Sequence, residues 1–257
     1  DDAIVASKVL GIVLTKRANG SAQHVELAGF PHHSIDTYLP KLVRAGYKVA
    51  VCDQLEDPKL TKKIVRRGVT GLVTPGVVYN EQLLPQKENN FLASVCFEKD
   101  RGGIAFLDIS TGAFRVAEGS MNYIELLLEN MAPKEILVEK GYAKGFREKF
   151  HTDAYISTLD EWAFVYETSY EKLKKHFALD SLKGFGVEGM NLSLTAAGAI
   201  LYYLENNQQA FCEYFPNRGL SHLCSISRID SDDFVWLDRF TVRNLELVYP
   251  ATKDGVS

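Results

Sequence analysis

The sequence predicts an α/β chain in two parts: a small mixed-sheet unit, then a larger unit that opens with a strand meander and continues as alternating helices and strands. Three observations carry this reading. Strand-like runs at about 25–30, 47–52 and 69–73 are interleaved with helix-periodic stretches at 3–10 and 35–45. Residues 80–90 are polar, contain one proline and read as a connection. Beyond them, strand-like runs at about 91–98, 103–110 and 112–118 follow one another before any helix intervenes. A length of 257 residues also favours two cores over one.

In the front unit, Ile4, Val5, Val9 and Leu10 fall on one helical face and Gly11 stops the helix. An extended run from Ile12 to Thr15 ends in Lys16-Arg17. Ala18-Asn19-Gly20-Ser21 is turn chemistry, because Asn-Gly tolerates positive φ, and Val25 to Phe30 is the returning strand. Ser34 is placed to cap a helix whose apolar face is Ile35, Leu39, Leu42 and Val43, with Gly46 closing it. Pro40 forfeits one backbone bond there, which predicts a kink or a late helix start. Tyr47 to Cys52 reads as a buried strand, Asp57-Pro58 as a turn, and Val69 to Val73 as a strand broken by Thr74-Pro75-Gly76.

In the rear unit, Asp100-Arg101-Gly102-Gly103 and Ser110-Thr111-Gly112 separate the three strands of the meander. A helix at about 120–131 stops before Pro133, a strand covers 135–139, a helix–strand pair covers roughly 142–157, and helices follow at about 168–178 and 191–207. Three antiparallel strands and then alternating helices and strands is the order of an RNase H-like fold. Leu194, Ala197, Ile200, Leu201 and Leu204 recur at helical spacing and read as a core-facing stripe. Residues 225–257 hold one more helix or strand pair. The division is then 1–82, a linker at 83–90, 91–222, and a last stretch at 223–257.

The totals exclude several classes. Hydrophobic content of 46% and charged content of 24% are those of a globular protein. No apolar run approaches the roughly 20 residues that span a bilayer, and no charged-then-apolar leader opens the chain, so a cytoplasmic location is expected. The chain begins Asp1-Asp2-Ala3, which reads as though an upstream segment has been removed. Cys52, Cys96, Cys212 and Cys224 show no C-x-x-C spacing, and Cys52 and Cys96 lie in apolar runs that suit buried free thiols. His32 and His33 are adjacent and would diverge in an extended segment, so no metal is expected. The net charge of −4 conceals an asymmetry: residues 1–80 carry eleven Lys and Arg against seven Asp and Glu, a balance of +4, and the rest carries −8. A basic front suits contact with phosphates.

Several long strings resemble the MutS family. Thr15-Lys16-Arg17, Leu27-Ala28-Gly29-Phe30-Pro31-His32-His33, Tyr38-Leu39, Lys41-Leu42-Val43, the run Val49 to Pro58 and Val73-Thr74-Pro75-Gly76 resemble its mismatch-recognition domain. Leu107-Asp108-Ile109-Ser110-Thr111-Gly112, Gly184-Phe185-Gly186-Val187 and Ala196-Ala197-Gly198 resemble its RNase H-like connector domain, and Leu237 to Leu247 the start of its α-helical core domain. The resemblance implies a homodimeric protein that binds mispaired or looped-out bases in double-stranded DNA and signals to MutL through the connector. It also implies an ATPase using ATP and Mg in a later domain. The family's Gly-Asp-Phe-Tyr-Glu reader and a G-x-x-x-x-G-K-[ST] phosphate loop are both absent from these residues, so no cofactor and no catalysis are expected of this chain.

By resemblance, the turn bearing Lys16 and Arg17 approaches the DNA backbone, and Leu27, before the family's glycine, touches the minor groove. Lys62, Lys63, Arg66 and Arg67 form a second basic run suited to phosphates. The rival reading is a divalent-metal nuclease of RNase H-like fold centred on Asp108, with Glu139 and Asp160 as conceivable partners. Against it, Asp108 precedes Ser110-Thr111-Gly112, where a turn-stabilising bond explains an aspartate. A second rival is the family's branch that handles recombination or branched DNA, which lacks the mismatch-binding domain; residues 12–76 argue against it.

Overall fold

The computed structural model describes residues 2–19, 23–56, 64–77, 90–214, 220, 223–230, 241 and 245. The chain divides into two compact units, residues 1–88 with 207–217 and residues 89–206 with 218–257.

The first unit pairs helices with two-stranded ribbons. Helix α1 (Asp2–Leu10) leads into the antiparallel pair β1 (Leu14–Asn19) and β2 (Gln23–Ala28). The strands run further toward the turn than the sequence suggests. Ala18 and Asn19 are strand residues, so Lys16 and Arg17 lie mid-strand instead of at its end; Gly20 and Ser21 of the expected turn lie outside the described residues. Phe30 stacks on Tyr38 with ring centroids 4.6 Å apart, joining the exit of β2 to the next helix.

That helix, α2 (Ile35–Arg44), follows a single 3-10 turn at His32–Ser34. Ser34 occupies the N-cap position, but its side chain makes no capping bond. Pro40 is accommodated inside α2, which begins at Ile35, so the expected late start does not occur. Gly46 at φ +86° closes the helix, its N–H donating to the Val43 carbonyl at 2.9 Å. Strand β3 (Val49–Gln54) pairs antiparallel with β4 (Arg67–Val73), with an irregularity between Val51 and Cys52.

Val49, Val51 and Val73 pack on Ile35, Leu39 and Val43 of α2. The strand expected to be buried is therefore covered on one side only. Cys52 points the other way and is exposed, contrary to the buried thiol expected there. Val69, opposite Cys52, is exposed as well. Most of the 80–90 stretch, the Asp57-Pro58 turn and the core-domain string Leu237 to Leu247 lie outside the described residues.

The second unit is a six-stranded sheet. Strands β5 (Phe91–Glu98), β6 (Arg101–Asp108) and β7 (Ala113–Ser120) form the antiparallel meander. Helix α3 (Met121–Met131) leads to β8 (Glu135–Glu139), and the short α4 (Phe146–Lys149) to β9 (Tyr155–Leu159). The spatial order is β10-β7-β6-β5-β8-β9, with β8 parallel to β5 and β9 parallel to β8. This is the RNase H-like arrangement that the element order predicts. Strand β10 (Ser227–Arg228) adds a parallel edge to β7.

Ser120 caps α3 by accepting from the Tyr123 N–H at 3.4 Å. Helix α5 (Tyr166–Phe177) and α6 (Asn191–Tyr214) up to Asn206 complete the unit, and Leu194, Ala197, Ile200, Leu201 and Leu204 are all buried, as their spacing predicts.

One register differs from the sequence reading for a physical reason. Gly102 and Gly103 were expected between strands, yet both lie within β6. The turn is Lys99-Asp100, with Lys99 at φ +53°. The glycines are needed for proximity: a Cβ on Gly103 would sit 2.2 Å from the Leu192 carbonyl carbon and the Ser193 nitrogen, where α6 begins. Glu118 of β7 secures that crossing. Its Oε2 accepts the Leu192 N–H at 3.0 Å, and its Oε1 accepts from Arg101 at 3.1 Å.

Candidate nucleic-acid interface

The β1–β2 register sorts the predicted contact residues. Directly opposed residues in an antiparallel pair share a face, and successive residues alternate. Thr15 opposes Leu27 and Arg17 opposes Val25, so these four share one face; Lys16 opposes Glu26 and Leu14 opposes Ala28 on the other. On β2, Val25 and Leu27 are 51% and 47% exposed and Glu26 and Ala28 are half-buried, whereas Leu14, Thr15 and Lys16 of β1 are all exposed. Arg17 is exposed. The two adjacent cations thus project to opposite sides, Lys16 toward a carboxylate-bearing strand position and Arg17 beside an apolar pair. Thr15 Oγ1 donates to the Leu27 carbonyl at 2.9 Å, tying the strands at this point.

The second basic run is only partly described, with Lys62 and Lys63 outside it. Arg66 is exposed and lies 3.7 Å from Glu56, a loose surface pair of little energetic weight. Arg67 opens β4 opposite Gln54 and is exposed. Arg67, Val69 and Cys52 therefore lie on the open side of the β3–β4 ribbon. His32 and His33 sit in the 3-10 turn instead of an extended segment, both exposed, and no cluster suited to a metal ion occurs among the described residues.

Asp108 is buried, and its carboxylate is fully engaged in local structure. Oδ1 accepts the Ser110 N–H at 2.9 Å, the Ser110 hydroxyl at 2.6 Å and the Thr111 N–H at 3.4 Å, while Oδ2 accepts the Asn90 N–H at 3.4 Å. This is a turn brace. Asp160 is held by Lys140 at the surface, and the Glu139 carboxyl is pushed up by burial and by the nearby Glu161. These carboxylates do not converge on a point, so the geometry does not support the nuclease reading.

Comparison with known sequences decides the family. The profile of MutS domain I matches residues 1–82, and that of MutS domain II matches residues 90–218. This chain belongs to the MutS family. Relatives carrying the name DNA mismatch repair protein MutS include those of Parabacteroides distasonis and Phocaeicola vulgatus, each 55% identical over 257 residues, and that of Porphyromonas gingivalis, 54% identical over the same length. In each case the alignment covers 100% of this chain but only 28–29% of the relative. The domain I match also disfavours the family branch that lacks that domain. The signal that sequence reading left unused is the β1–β2 register, which separates Lys16 from Arg17 and places Val25 beside the latter.

Proposed function

We propose that this chain is the front part of a DNA mismatch repair protein, in which residues 1–82 hold double-stranded DNA at a mispair and the RNase H-like connector carries the signal to MutL. The observation that carries the reading is the match to MutS domains I and II in order, with Lys16, Arg17, Leu27 and Arg67 exposed on the ribbons of domain I and Arg66 exposed just before β4. The chain then divides into mismatch recognition at 1–82, a linker at 83–90, the connector at 91–222, and the start of the core domain at 223–257.

Guanidinium groups on an open ribbon suit phosphates, which fix register and orientation without reading bases. Reading the mispair needs a further element. A mispaired step unstacks and kinks more easily than a paired one, so an apolar wedge gains most there. In the family that wedge is the Gly-Asp-Phe-Tyr-Glu segment, which does not occur among these 257 residues. The full-length protein is a homodimer, acts in the cytoplasm and uses ATP and Mg in a later domain; this chain's own role is binding and docking.

Fluorescence anisotropy of the full-length protein on a G·T heteroduplex and its matched homoduplex tests the proposal. A preference of about tenfold or more, roughly 1.4 kcal/mol, is expected. Equal affinity for the two duplexes overturns mismatch recognition and directs attention to branched DNA.

A further inference from the structure

We propose that the buried Glu135 is a latch for helix α6: its carboxylate holds the helix on the connector sheet at Tyr203, and its release lets α6 open from that end while the other end stays fixed. Three elements meet at this carboxylate. Glu135 opens β8, Ser157 lies on the neighbouring β9 and Tyr203 on α6, and all three side chains are buried. Glu135 Oε1 accepts from the Ser157 hydroxyl at 2.6 Å and from the Tyr203 hydroxyl at 2.7 Å. Short hydroxyl bonds to a carboxylate are among the strong ones, and here a single oxygen joins a helix to two strands. Tyr203 lies close to Asn206, where the connector's share of α6 ends.

A buried carboxylate carries a desolvation cost that apolar packing of the same volume avoids, so its use here points to positioning. The rest of α6 shows what needs it. Leu194, Ala196, Ala197, Ala199, Ile200 and Leu201 are all buried aliphatic groups, whose contacts are non-directional and leave the rotation and slide of a helix loosely set. Single buried polar groups fix such registers in packed helices. At its N-terminal end α6 is held through its main chain: Glu118 accepts the Leu192 N–H at 3.0 Å and the Ser193 N–H at 3.4 Å, and Gly103 admits the backbone there to a distance that no side chain allows. About 16 Å further along the helix, the hold at Tyr203 is made by side-chain hydroxyls. Its neighbour, the Lys172–Glu205 ion pair, is a surface contact of little weight. Freeing the first end disrupts the helix start, whereas freeing the second breaks only hydroxyl bonds, so opening begins at Tyr203.

Amide hydrogen exchange of the full-length protein, read by mass spectrometry, tests the latch, because it separates local opening from a general loss of stability. In Tyr203→Phe, peptides covering 199–206 are expected to exchange about tenfold faster than in the parent, an opening easier by about 1.4 kcal/mol, while those covering 191–195 and the β5–β7 meander keep the parental rate. Ser157→Ala leaves the Tyr203 bond in place and is expected to speed the same peptides by about threefold. Glu135→Gln keeps an acceptor without its charge and is expected to fall between the two. The inference is overturned if all three variants leave 199–206 at the parental rate. It is equally overturned if Tyr203→Phe speeds 191–195 and the meander as much as 199–206, which marks the cluster as ordinary core packing. Thermal melts show which variants are folded. Ser157→Ala, the smallest change, decides alone if the others are not: acceleration confined to 199–206 supports the latch, and a parental rate there overturns it. Neither result bears on mismatch preference, so the latch and the proposed function stand or fall separately.

Discussion

Replacing Asp108 by alanine distinguishes a turn brace from a catalytic carboxylate. The carboxylate is buried and receives four donors, of which the Ser110 N–H at 2.9 Å and the Ser110 hydroxyl at 2.6 Å are short. Hydrogen bonds to a charged acceptor contribute about 1.5–3 kcal/mol each, and the two 3.4 Å contacts contribute little beyond them. Ser110 and Thr111 retain some access to water, which recovers part of the loss. The net cost of Asp108→Ala is then about 3 kcal/mol. At roughly 2–4 °C per kcal/mol for a domain of this size, the connector should melt about 6–12 °C lower. Asp108→Asn keeps the Oδ1 acceptor and should lose only about 1 kcal/mol. Calorimetry on the parent and both variants provides the comparison. A melting temperature for Asp108→Ala within about 1 °C of the parent would refute the brace. So would metal-dependent cleavage of DNA by the parent that Asp108→Asn abolishes.

Four further outcomes follow from the connector's packing. Gly103→Ala puts a methyl 2.2 Å from backbone atoms of Leu192 and Ser193, so it should destabilise by about 3 kcal/mol, and an unchanged melt would contradict the close crossing of α6 over β6. Burial pushes the Cys96 thiol up to about 12, with Glu139, Glu118 and Glu98 adding to the effect, so alkylation at pH 8 should mark Cys52 and Cys224 and spare Cys96. Because this folded-state value lies above that of the unfolded chain, the Cys96 contribution to stability is complete below about pH 9 and declines as pH rises toward 12; Cys96→Ala should flatten that alkaline loss. Among the described residues the buried Ser94 hydroxyl has no hydrogen-bond partner, so Ser94→Ala should be neutral or stabilising by about 1 kcal/mol, and a loss of that size would indicate a missing partner.

The rear unit was more legible in the sequence than the front. Its elements are bounded by strong local signals: Ser120 as a cap, Pro133 as a stop, and the apolar stripe from Leu194 to Leu204 on α6. The error at Gly102-Gly103 arose because glycine marks both turns and close backbone approach, and only the position of α6 separates the two meanings. In the front unit the local signals compete. Asn19-Gly20 outweighed the pairing that carries β1 through Ala18 and Asn19, and Ser34 was credited with a cap that the preceding 3-10 turn makes unnecessary. Cys52 sits in an apolar run, but the run belongs to a ribbon covered on one side, and periodicity over six residues could not show which side.

The candidate site was legible as a set of residue types and not as a surface. Lys16 and Arg17 are neighbours in the chain, and only strand alternation sends them to opposite faces. The resemblance to MutS supplied Leu27, whereas Val25 became visible only when the register put it opposite Arg17.

The most direct measurement is to map where DNA touches the protein: cross-link the full-length protein to a duplex carrying one mispair and photoreactive groups on the backbone phosphates flanking it, digest it, and identify the attached peptides by mass spectrometry. The account predicts cross-links within residues 12–30 and 64–73, on the ribbons that present Arg17, Leu27, Arg66 and Arg67. Cross-links absent from both stretches and concentrated instead on residues 91–206 of the connector would contradict it.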